Sequence, residues 1–447
     1  LGTEELPPVA LMRLSKAFKD GVVAGLAKAG LAHGDVESFA TPRRLALNVQ
    51  ALAARQPEQA QERRGPAVKA AFDGDGNPTK AAQGFARSCG VDVANLERLE
   101  TDAGSWLVHR SVSPSVPAAE LLPGIVSDSL GKLPIPKRMR WGDNTQEFVR
   151  PVRWLVMLHG YEVVEGEILG ARAGAVTRGH RFHCPDPITL SHSSEYVEAL
   201  RQPGHVIASF AERRDLINQQ VEAVASEIGG TVVIDPSLLD EVTALTEWPA
   251  ALAGSFEERF LQVPAQALIA TMKSNQKYFH VVDAQGALTP NFIAVANLES
   301  TNPDSVRHGN ERVVRPRLAD AEFFFNTDLK TPLADRLESL DSVVFQRALG
   351  SVADKSRRVS SLAQAIAAEM GVDEETTAHA ARAGLLCKCD LVTDMVGEFP
   401  ELQGTMGARY ARESGEPEGV AQALGEVYLP RFAGDALPTS AAGMALA

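Results

Sequence analysis

The sequence has 447 residues, of which 45% are hydrophobic and 23% charged, a balance that excludes disordered, collagen-like and coiled-coil chains. At roughly 150 residues per domain, this length predicts two to four domains. The net charge of −13 argues against a protein that coats nucleic acid regardless of its sequence, but it is compatible with a local basic groove.

Cysteine use and the lack of long apolar runs indicate the cellular compartment. Cys89, Cys184, Cys387 and Cys389 form neither a disulfide framework nor the paired spacing of a zinc ribbon. No apolar run reaches the roughly 18 residues of a membrane span, and the first residues do not resemble a signal peptide. We therefore expect a cytoplasmic protein without membrane contact. Because the chain lacks an initial Met and stops in an apolar stretch, we interpret it as a fragment cut at both ends.

The first 330 residues change predicted element every 10 to 20 residues, which is typical of a mixed α+β region. A helix is predicted from Pro7-Pro8 to about Leu31, with a core-facing stripe of Leu11, Leu14, Phe18, Val22 and Leu26. Strands are predicted over 44–49, 105–112, 152–158, 163–169 and 175–183, and helices over 80–88, 210–227 and 236–246. Residues 278–282 and 292–296 flank Gly286 and predict a hairpin.

The chain becomes almost entirely helical after Thr331-Pro332, a hydroxyl cap followed by proline. Apolar stripes predict helices over 351–370, 374–398, 417–428 and 438–447. The predicted fold class is therefore an α+β multidomain body followed by an all-helical domain. The predicted domains are an α+β N-terminal region (1–190), an α+β body region (191–340) and a truncated helical domain (341–447).

A basic stretch from Lys132 to Arg181 has the opposite sign to the whole chain. Nine basic residues face five acidic ones there, a local balance of +4. Trp141, Phe148 and Trp154 interleave with these cations, a mixture that proteins use to contact and stack single-stranded or irregular nucleic acid. The alternative is a solvated basic edge with core tryptophans, and composition does not decide between the two.

Two further groups of arginines are candidates for phosphate binding. Arg307, Arg312, Arg315 and Arg317 stand against one acid, Glu311, just before a helix that Pro316 is predicted to start. Arginine forks at a helix N-terminus suit phosphate. In the alternative interpretation these arginines pair with the Asp320 and Glu322 that follow them in the sequence. The third group is the pair Arg43-Arg44, just ahead of a strand.

The motifs of the common catalytic classes are absent from the sequence. There is no phosphate-cradling G-x-x-x-x-G-K-[ST], no G-x-S-x-G and no H-E-x-x-H. The isolated histidines have no ligand or triad spacing, so each is interpreted as structural. Glu247 and Lys273 are polar residues beside apolar helices, where they line a pocket or, in the favoured interpretation, form a buried pair or a surface polar group.

Ten sequence blocks, in order over almost the whole chain, resemble one family closely: the β subunits of bacterial heterotetrameric glycyl-tRNA synthetases. The blocks are GTEELPP (2–8), TPRRLAL (41–47), GNPTKAAQGFA (76–86), PKRMRWG (136–142), FVRPVRWL (148–155), RGHRF (178–182), LTEWP (245–249), NQKYF (275–279), GNERVVRPRLADAEFFF (309–325) and KCDLVTDMVGEFPELQGTMG (388–407). The resemblance implies that a separate α subunit holds the class II site for glycyl-adenylate, while the β subunit holds tRNA and is needed for charging.

The same resemblance implies what the helical domain is and what is missing. The helical region resembles the metal-dependent phosphohydrolase domain named for its His-Asp (HD) pair, but Cys387 and Lys388 stand at those two positions. A thiol and an ammonium do not hold a hard divalent ion as imidazole and carboxylate do. We therefore expect a degenerate HD-like scaffold without metal, and a family chain that continues into an anticodon-recognising region beyond this fragment.

The expected function is that of a tRNA-binding, non-adenylating subunit of glycine-tRNA ligase, an aminoacyl-tRNA synthetase of protein biosynthesis. Its expected partners are the α subunit, in a heterotetramer of two α and two β chains, and glycine tRNA. No cofactor is expected in this chain, because ATP and Mg belong to the α subunit, and no catalytic residue is assigned. Alternatives are an RNA-binding module acting outside the synthetase and an HD-type phosphohydrolase. The predicted tRNA-binding residues are Arg43, Arg44, Lys137, Arg138, Arg140, Arg150, Arg153, Arg178, Arg181, Arg307, Arg312, Arg315 and Arg317.

Overall fold

The computed structural model describes residues 1–101, 104–113, 115–143 and 145–447. The chain forms two compact units, which are described separately below. The first comprises residues 1–213 and 244–247, and the second comprises residues 214–243 and 248–447. The predicted domain boundaries after residues 190 and 340 follow the sequence pattern and stay a prediction. Among the helices in the described ranges, none combines the length and the hydrophobicity that spanning a bilayer requires.

The first unit is mixed α+β. Its strands are β1 (Gly2–Thr3), β2 (Val36–Thr41), β3 (Arg44–Val49), β4 (Gln59–Ala67), β5 (Glu97–Thr101), β6 (Gly104–Ser113), β7 (Val152–Val156), β8 (Leu158–His159), β9 (Glu162–Val163), β10 (Glu167–Ile168), β11 (Ala171–Gly174), β12 (Val176–Arg178) and β13 (Pro187–Thr189). Its helices are α1 (Leu11–Ala29), α2 (Val68–Ala71), α3 (Lys80–Cys89), α4 (Ala118–Gly131) and α5 (Tyr196–Arg201). The main sheet has six strands in the order β10-β11-β7-β1-β3-β2, and a second sheet has the order β4-β6-β5.

Helix α1 confirms the predicted stripe and shows why this helix forms. All five predicted core residues are buried, and they pack with β3, α4 and β7 in the main core of the unit. Gly30 ends the helix in the left-handed conformation, with φ of 69°, which costs a glycine little because it has no Cβ. The helix therefore covers one face of the main sheet and fixes the position of its central strands.

The predicted strand over 175–183 is too long. Only Val176–Arg178 pairs with a neighbouring strand, β13. Beyond it, the Nδ1 atom of buried His180 accepts hydrogen bonds from the backbone amides of Phe182 and His183, both at 3.3 Å. This local turn competes with the extended backbone and ends the strand.

The second unit begins with an α+β portion. Its elements are α6 (Phe210–Glu227), β14 (Thr231–Val232), α7 (Pro236–Leu245), β15 (Ala250–Ser255), α8 (Ala265–Ala270), a π-helical turn (Thr271–Gln276), β16 (Phe279–Val282), β17 (Leu288–Ala296) and α9 (Pro303–Asp328). The first four residues of α6 and the last two of α7 belong to the first unit. The strands form one antiparallel sheet in the order β14-β16-β17-β15. The predicted hairpin around Gly286 is confirmed: the Asp283 carboxylate accepts the amides of Gln285 and Ala287 at 2.9 Å, and Gly286 has φ of 80°.

The remainder of the second unit is helical, as predicted. After a 3-10 segment (Leu333–Ser342) it contains the short hairpin β18 (Val344–Gln346) and β19 (Gly350–Ser351), followed by six helices. These are α10 (Val352–Glu369), α11 (Glu374–Leu386), α12 (Asp394–Glu398), α13 (Thr405–Glu413), α14 (Glu418–Glu426) and α15 (Ala441–Leu446). Their apolar faces share one core with β17 and α9. An α+β body followed by a helical region is therefore the observed architecture.

Two helix predictions in this unit are wrong. The predicted helix over 374–398 is interrupted: α11 ends at Leu386 and α12 begins at Asp394. The Thr393 side chain caps α12 by accepting the Val396 amide at 3.3 Å, and the buried Asp328 carboxylate accepts the amides of Asp394 and Met395 at 2.9 and 3.0 Å. Pro316 does not start a helix but lies inside α9, which begins at Pro303. The Asn302 side chain caps α9 by accepting the Ser305 amide at 3.2 Å.

Candidate nucleic-acid interface

Strand β1 lies at the centre of the main sheet of the first unit and leads directly into Glu4. It pairs with β3 through Gly2 and Arg44, and with β7 through Gly2 and Trp154. A Cβ atom on Gly2 would lie 2.0 Å from the Trp154 ring, so only glycine fits there. These pairings bring together three blocks that are far apart in the sequence: GTEELPP, TPRRLAL and FVRPVRWL.

Three arginines surround the Glu4 carboxylate. Arg153 Nε donates to Glu4 Oε1 at 2.6 Å, and Arg181 Nη2 donates to Glu4 Oε2 at 3.1 Å. Burial by itself raises the pKa of Glu4, but the Arg153 hydrogen bond and the charges of Arg153, Arg181 and Arg43 outweigh it and hold the pKa below its usual value. Three cations against one carboxylate leave a local excess of positive charge at this arginine cluster (Arg43, Arg153 and Arg181 around Glu4).

Arg43, the residue immediately before β3, is the third arginine of the cluster. Its guanidinium carbon lies 5.6 Å from the centre of the Trp154 ring, within cation–π range. Its Nε is buried and has no hydrogen-bond partner among the described residues, and burial is the main cause that lowers the pKa of the guanidinium. Arg153 and Arg181 are each about half exposed, with 55% and 49% of the side chain accessible. The arginine cluster is therefore open to solvent, and its guanidinium groups have N–H donors that are not used in the bonds to Glu4.

Arg44 is buried, which corrects the prediction that it contacts RNA. Only 1% of the residue is exposed. Its Nε and Nη2 donate to Glu247 Oε1 at 3.2 and 3.1 Å, Nη1 donates to the Arg178 carbonyl at 3.1 Å, and Thr41 Oγ1 donates to the same Glu247 oxygen at 2.7 Å. A guanidinium enclosed in this way cannot reach a phosphate without unfolding β3. The favoured interpretation of Glu247, a buried pair, is confirmed.

The ion pair between Glu247 and Arg44 shifts the pKa values of its two members in opposite directions. Burial alone raises the pKa of Glu247, but the charge of Arg44 and the Thr41 hydrogen bond more than offset it, and the pKa is lowered. Burial lowers the pKa of Arg44, and the charge of Glu247 reverses this. Both side chains are therefore charged when folded, and the pair fixes β3 beneath the arginine cluster.

The remaining predicted residues of the first unit lie on its surface or near it. Arg150 Nε donates to the Glu5 carbonyl at 2.9 Å, Arg138 Nη2 donates to the Gly131 carbonyl at 2.9 Å, and Arg140 pairs with Glu147 at 2.8 Å. Lys137 and Arg178 have exposed side chains. Arg150 is thus joined to the chain next to Glu4, which places it beside the arginine cluster.

The three aromatic residues predicted to stack on bases, Trp141, Phe148 and Trp154, are partly or fully buried. Phe148 is fully buried, and Trp141 packs against the main core of the unit. Trp154 is partly buried, with Arg43 and Arg44 both within 6 Å of its ring centre, at 5.6 and 5.7 Å. The structure therefore supports the interpretation of a basic edge with aromatic residues in the core.

The arginines of the second unit lie along α9 rather than at its N-terminus. Arg307 pairs with Asp304 at 2.8 Å, and Arg315 pairs with Glu257 at 2.7 Å. Arg312 and Arg317 are exposed. The alternative partners inferred from sequence were wrong, because Glu322 pairs with Arg259 and Arg315 with a residue outside its own helix. The helix-terminus argument for phosphate binding no longer applies to this group.

The helical region has no metal-ligand geometry at the two positions inferred from the HD resemblance. Cys387 Sγ donates to the Gly384 carbonyl at 3.2 Å, and Lys388 Nζ donates to Tyr428 Oη at 2.8 Å. Asp390 is buried and accepts the amides of Gly404 and Gly407 at 2.7 and 3.1 Å. Within the described ranges, no three His, Cys, Asp or Glu residues come close enough together to hold a metal ion.

Sequence reasoning missed two side chains that organise the first unit. Glu4 lies in a block without basic residues, so only the pairing of β1 with β7 reveals that it binds Arg153. Arg213 is buried, and it donates to the Ala40 carbonyl at 2.7 Å and to the Ile207 carbonyl at 2.5 Å. Burial lowers the pKa of Arg213 to about 10. Its sequence context, an amphipathic helix, offered no signal.

Comparison with known proteins gives one consistent result. The sequence profile of a family described as glycyl-tRNA synthetase beta subunit matches residues 1–447. The glycine–tRNA ligase beta subunit of Hahella chejuensis is 56% identical over 446 residues, that of Marinobacter nauticus 56% over 448 and that of Chromohalobacter salexigens 56% over 447. Each alignment covers all of this chain and 64% of the relative, so the chain spans about 64% of the length of these proteins.

Proposed function

The chain belongs to the glycyl-tRNA synthetase beta subunit family, and from this premise we propose that it is the tRNA-binding, non-adenylating part of a glycine–tRNA ligase. In this proposal the chain acts with an α subunit, in an assembly of two α and two β chains, to attach glycine to its tRNA in the cytoplasm. ATP, Mg and glycine bind to the α subunit, which fits the lack of any nucleotide-binding loop in this sequence.

The observation that carries the proposal is the arginine cluster of the first unit. Arg43, Arg153 and Arg181 come from three separate sequence blocks and surround one carboxylate with an excess of positive charge. Guanidinium forks bind phosphate through paired hydrogen bonds, so an exposed group of them suits an RNA backbone. On a chain of net charge −13, binding of a polyanion requires such local reversals of sign.

We propose a supporting role for the helical region. If it derives from an HD phosphohydrolase, the residues now present do not fit a divalent cation. The Cys387 thiol is buried and burial raises its pKa, and the Lys388 ammonium contacts Tyr428 both through its hydroxyl and over its ring. These contacts are those of a packed scaffold, and they do not favour the phosphohydrolase alternative.

The proposal is tested by measuring tRNA affinity against salt concentration with the full-length heterotetramer. The variant Arg153→Gln/Arg181→Gln is compared with Arg110→Gln, which replaces a similarly exposed arginine of the first unit that is paired with Glu62 and Glu97. Each lost phosphate contact is expected to reduce the slope of log affinity against log salt by about 0.7 to 0.9.

The expected result is a weaker, less salt-dependent complex for the double variant and an unchanged one for Arg110→Gln. Circular dichroism first establishes that both variants are folded. Equal affinity and equal slope in all three proteins would show that the arginine cluster does not contact tRNA.

A further inference from the structure

The main sheet of the first unit has a gap between β3 and β7. Strand β1 lies between these two strands but is only two residues long, whereas β3 has six residues and β7 has five. A cavity of about 310 Å³ opens next to β1. Its walls include residues 45–49 of β3 on one side and residues 154–158, along and just after β7, on the other.

The register of β1 leads directly into this cavity. Leu1 and Leu45 exchange both backbone hydrogen bonds, at 2.9 and 3.0 Å, so antiparallel pairing with β3 already extends one residue before Gly2. Continuing the same register, the residue before Leu1 is opposite Ala46, and the three residues before that one are opposite 47–49. Gly2 pairs with Trp154 of β7. In the same register, the residue before Leu1 is opposite Val156, and the residues before that one are opposite those that follow Val156. The two walls of the cavity are therefore the two sets of residues that such a strand would pair with.

The chemistry of the cavity also suits a strand. Both β3 and β7 present a backbone edge to the cavity, and buried backbone groups require hydrogen-bond partners. Phe18 and Val22 of α1 and Val126 of α4 line the cavity, as do Leu190 and Tyr196 from the chain that follows the sheet. A strand enclosed by side chains from several elements in this way is typically apolar on both faces.

We propose that this cavity is a strand site, occupied in the full-length protein by the residues immediately preceding Leu1. About four residues, at roughly 3.3 Å per residue, extend β1 antiparallel to both β3 and β7 and close the sheet. Chain continuity selects this occupant over a free peptide, because a segment tethered at the mouth of the cavity has a far higher effective concentration. The proposal does not depend on the proposed function.

The strand site connects to the arginine cluster through β1. Glu4, which binds Arg153, directly follows this strand, and Gly2 of the strand pairs with Trp154, whose ring lies against the Arg43 guanidinium. An extended β1 paired along its whole length has one register only, because a slip of one residue would turn every side chain to the opposite face. Occupation of the site therefore fixes the position of Glu4 between Arg153 and Arg181.

The first test is hydrogen–deuterium exchange on the full-length protein and on a version that starts at Leu1. The amides of Leu47 and Val49 point to the same side of β3 as the Leu45 amide, which bonds to Leu1, and those of Val156 and Leu158 point away from the Gly174 carbonyl that the Met157 amide bonds. These four amides are expected to exchange at least about 100-fold more slowly in the full-length protein, as core strands do relative to open edges. Amides of α3, in the separate three-stranded portion of the unit, serve as the internal control and are expected to be unchanged.

A second test uses the full-length protein alone, in case the shortened version does not fold. A cysteine replaces the residue immediately before Leu1 and is combined with Ala46→Cys, its predicted non-hydrogen-bonded partner, where Cα atoms lie about 4.5 Å apart and permit a disulfide. Asn48→Cys, two positions along β3, is the matched control and is expected not to cross-link. Cross-linking to position 48 but not 46, or fast exchange of both strand edges in the full-length protein, would overturn the proposal.

Discussion

Removing the Glu247 carboxylate with Glu247→Ala is expected to destabilise the first unit strongly. The residue is 1% exposed and receives hydrogen bonds from Thr41 and from two nitrogens of Arg44, which is itself 1% exposed. Truncating one partner leaves the other charge buried without compensation, which typically costs about 3–5 kcal/mol. At 1.4 kcal/mol per factor of ten, the population in which β3 opens is expected to rise by roughly two to four orders of magnitude.

Hydrogen–deuterium exchange of the β3 amides measures this opening directly, without requiring the two units to unfold together. The control is Asp20→Ala, which removes an exposed ion pair between Lys16 and Asp20. The side chain of Lys16 is 77% accessible and that of Asp20 is 58% accessible. Pairs of that kind contribute about 0.2–1 kcal/mol, so exchange of β3 is expected to stay nearly unchanged. Similar exchange of β3 in the Glu247→Ala variant and the wild type would refute the assignment of the buried pair as a fixed element of the sheet.

The pH dependence of the same pair has a defined sign. The pKa of Glu247 is lowered in the folded chain from its ordinary value of 4.5. The stability that the pair contributes is therefore fully present above pH 4.5 and is lost as the pH falls through the folded-state pKa. Between pH 7 and pH 5.5, hydrogen–deuterium exchange of the β3 amides, corrected for intrinsic rates, is therefore expected to show no change caused by titration of Glu247.

Three further predictions concern the cluster, α9 and the helical region. Glu4→Gln frees two arginine forks from exposed pairs that contribute about 0.2–1 kcal/mol each, so tRNA binding is expected to tighten by about two- to thirtyfold in filter binding. Weaker binding would contradict an RNA-facing cluster. If Arg312 and Arg317 contact phosphates, replacing both with Gln is expected to lower the salt slope by about 0.7 to 0.9 per residue, and an unchanged slope would make α9 a solvated face. Burial raises the pKa of Asp390, so ionisation of this carboxyl lowers the stability of the fold as the pH rises above 3.8. Asp390→Asn is expected to remove that loss of stability in urea titrations at pH 7. The control Asp328→Asn is expected to destabilise the fold, because the Asp328 carboxylate accepts hydrogen bonds from four donors. Destabilisation by Asp390→Asn at pH 7 would show that the charged form is the required one.

The sequence was sufficient to predict an element where residues close together in the chain determine its structure. The apolar spacing of α1 and the turn at Gly286 depend on residues within a few positions of each other, and both predictions are confirmed. Pro316 shows the limit of such rules: a proline usually begins a helix, but the Asn302 cap and the buried face of α9 extend the helix across it. Tertiary packing overrides the local preference there.

The site required information that the sequence pattern does not contain. Arg43 lies in the turn before β3 and Arg44 is the first residue of β3, and the local pattern of two adjacent arginines does not say which of them is buried. The answer depends on Glu247, 203 residues away in the chain, which takes Arg44 into the core and leaves Arg43 beside Trp154. The partners of Arg153 and Arg315 are likewise distant, so a run of basic residues overstates the charge that is free to bind RNA.

We propose that this chain supplies tRNA binding to a ligase whose adenylate-forming site lies on another subunit. The most direct measurement is a glycine charging assay on the full-length β chain, with and without added α subunit. No charging is expected from the β chain alone, and charging is expected to be restored when α is added. Charging of tRNA by the purified β chain without α would contradict the proposal.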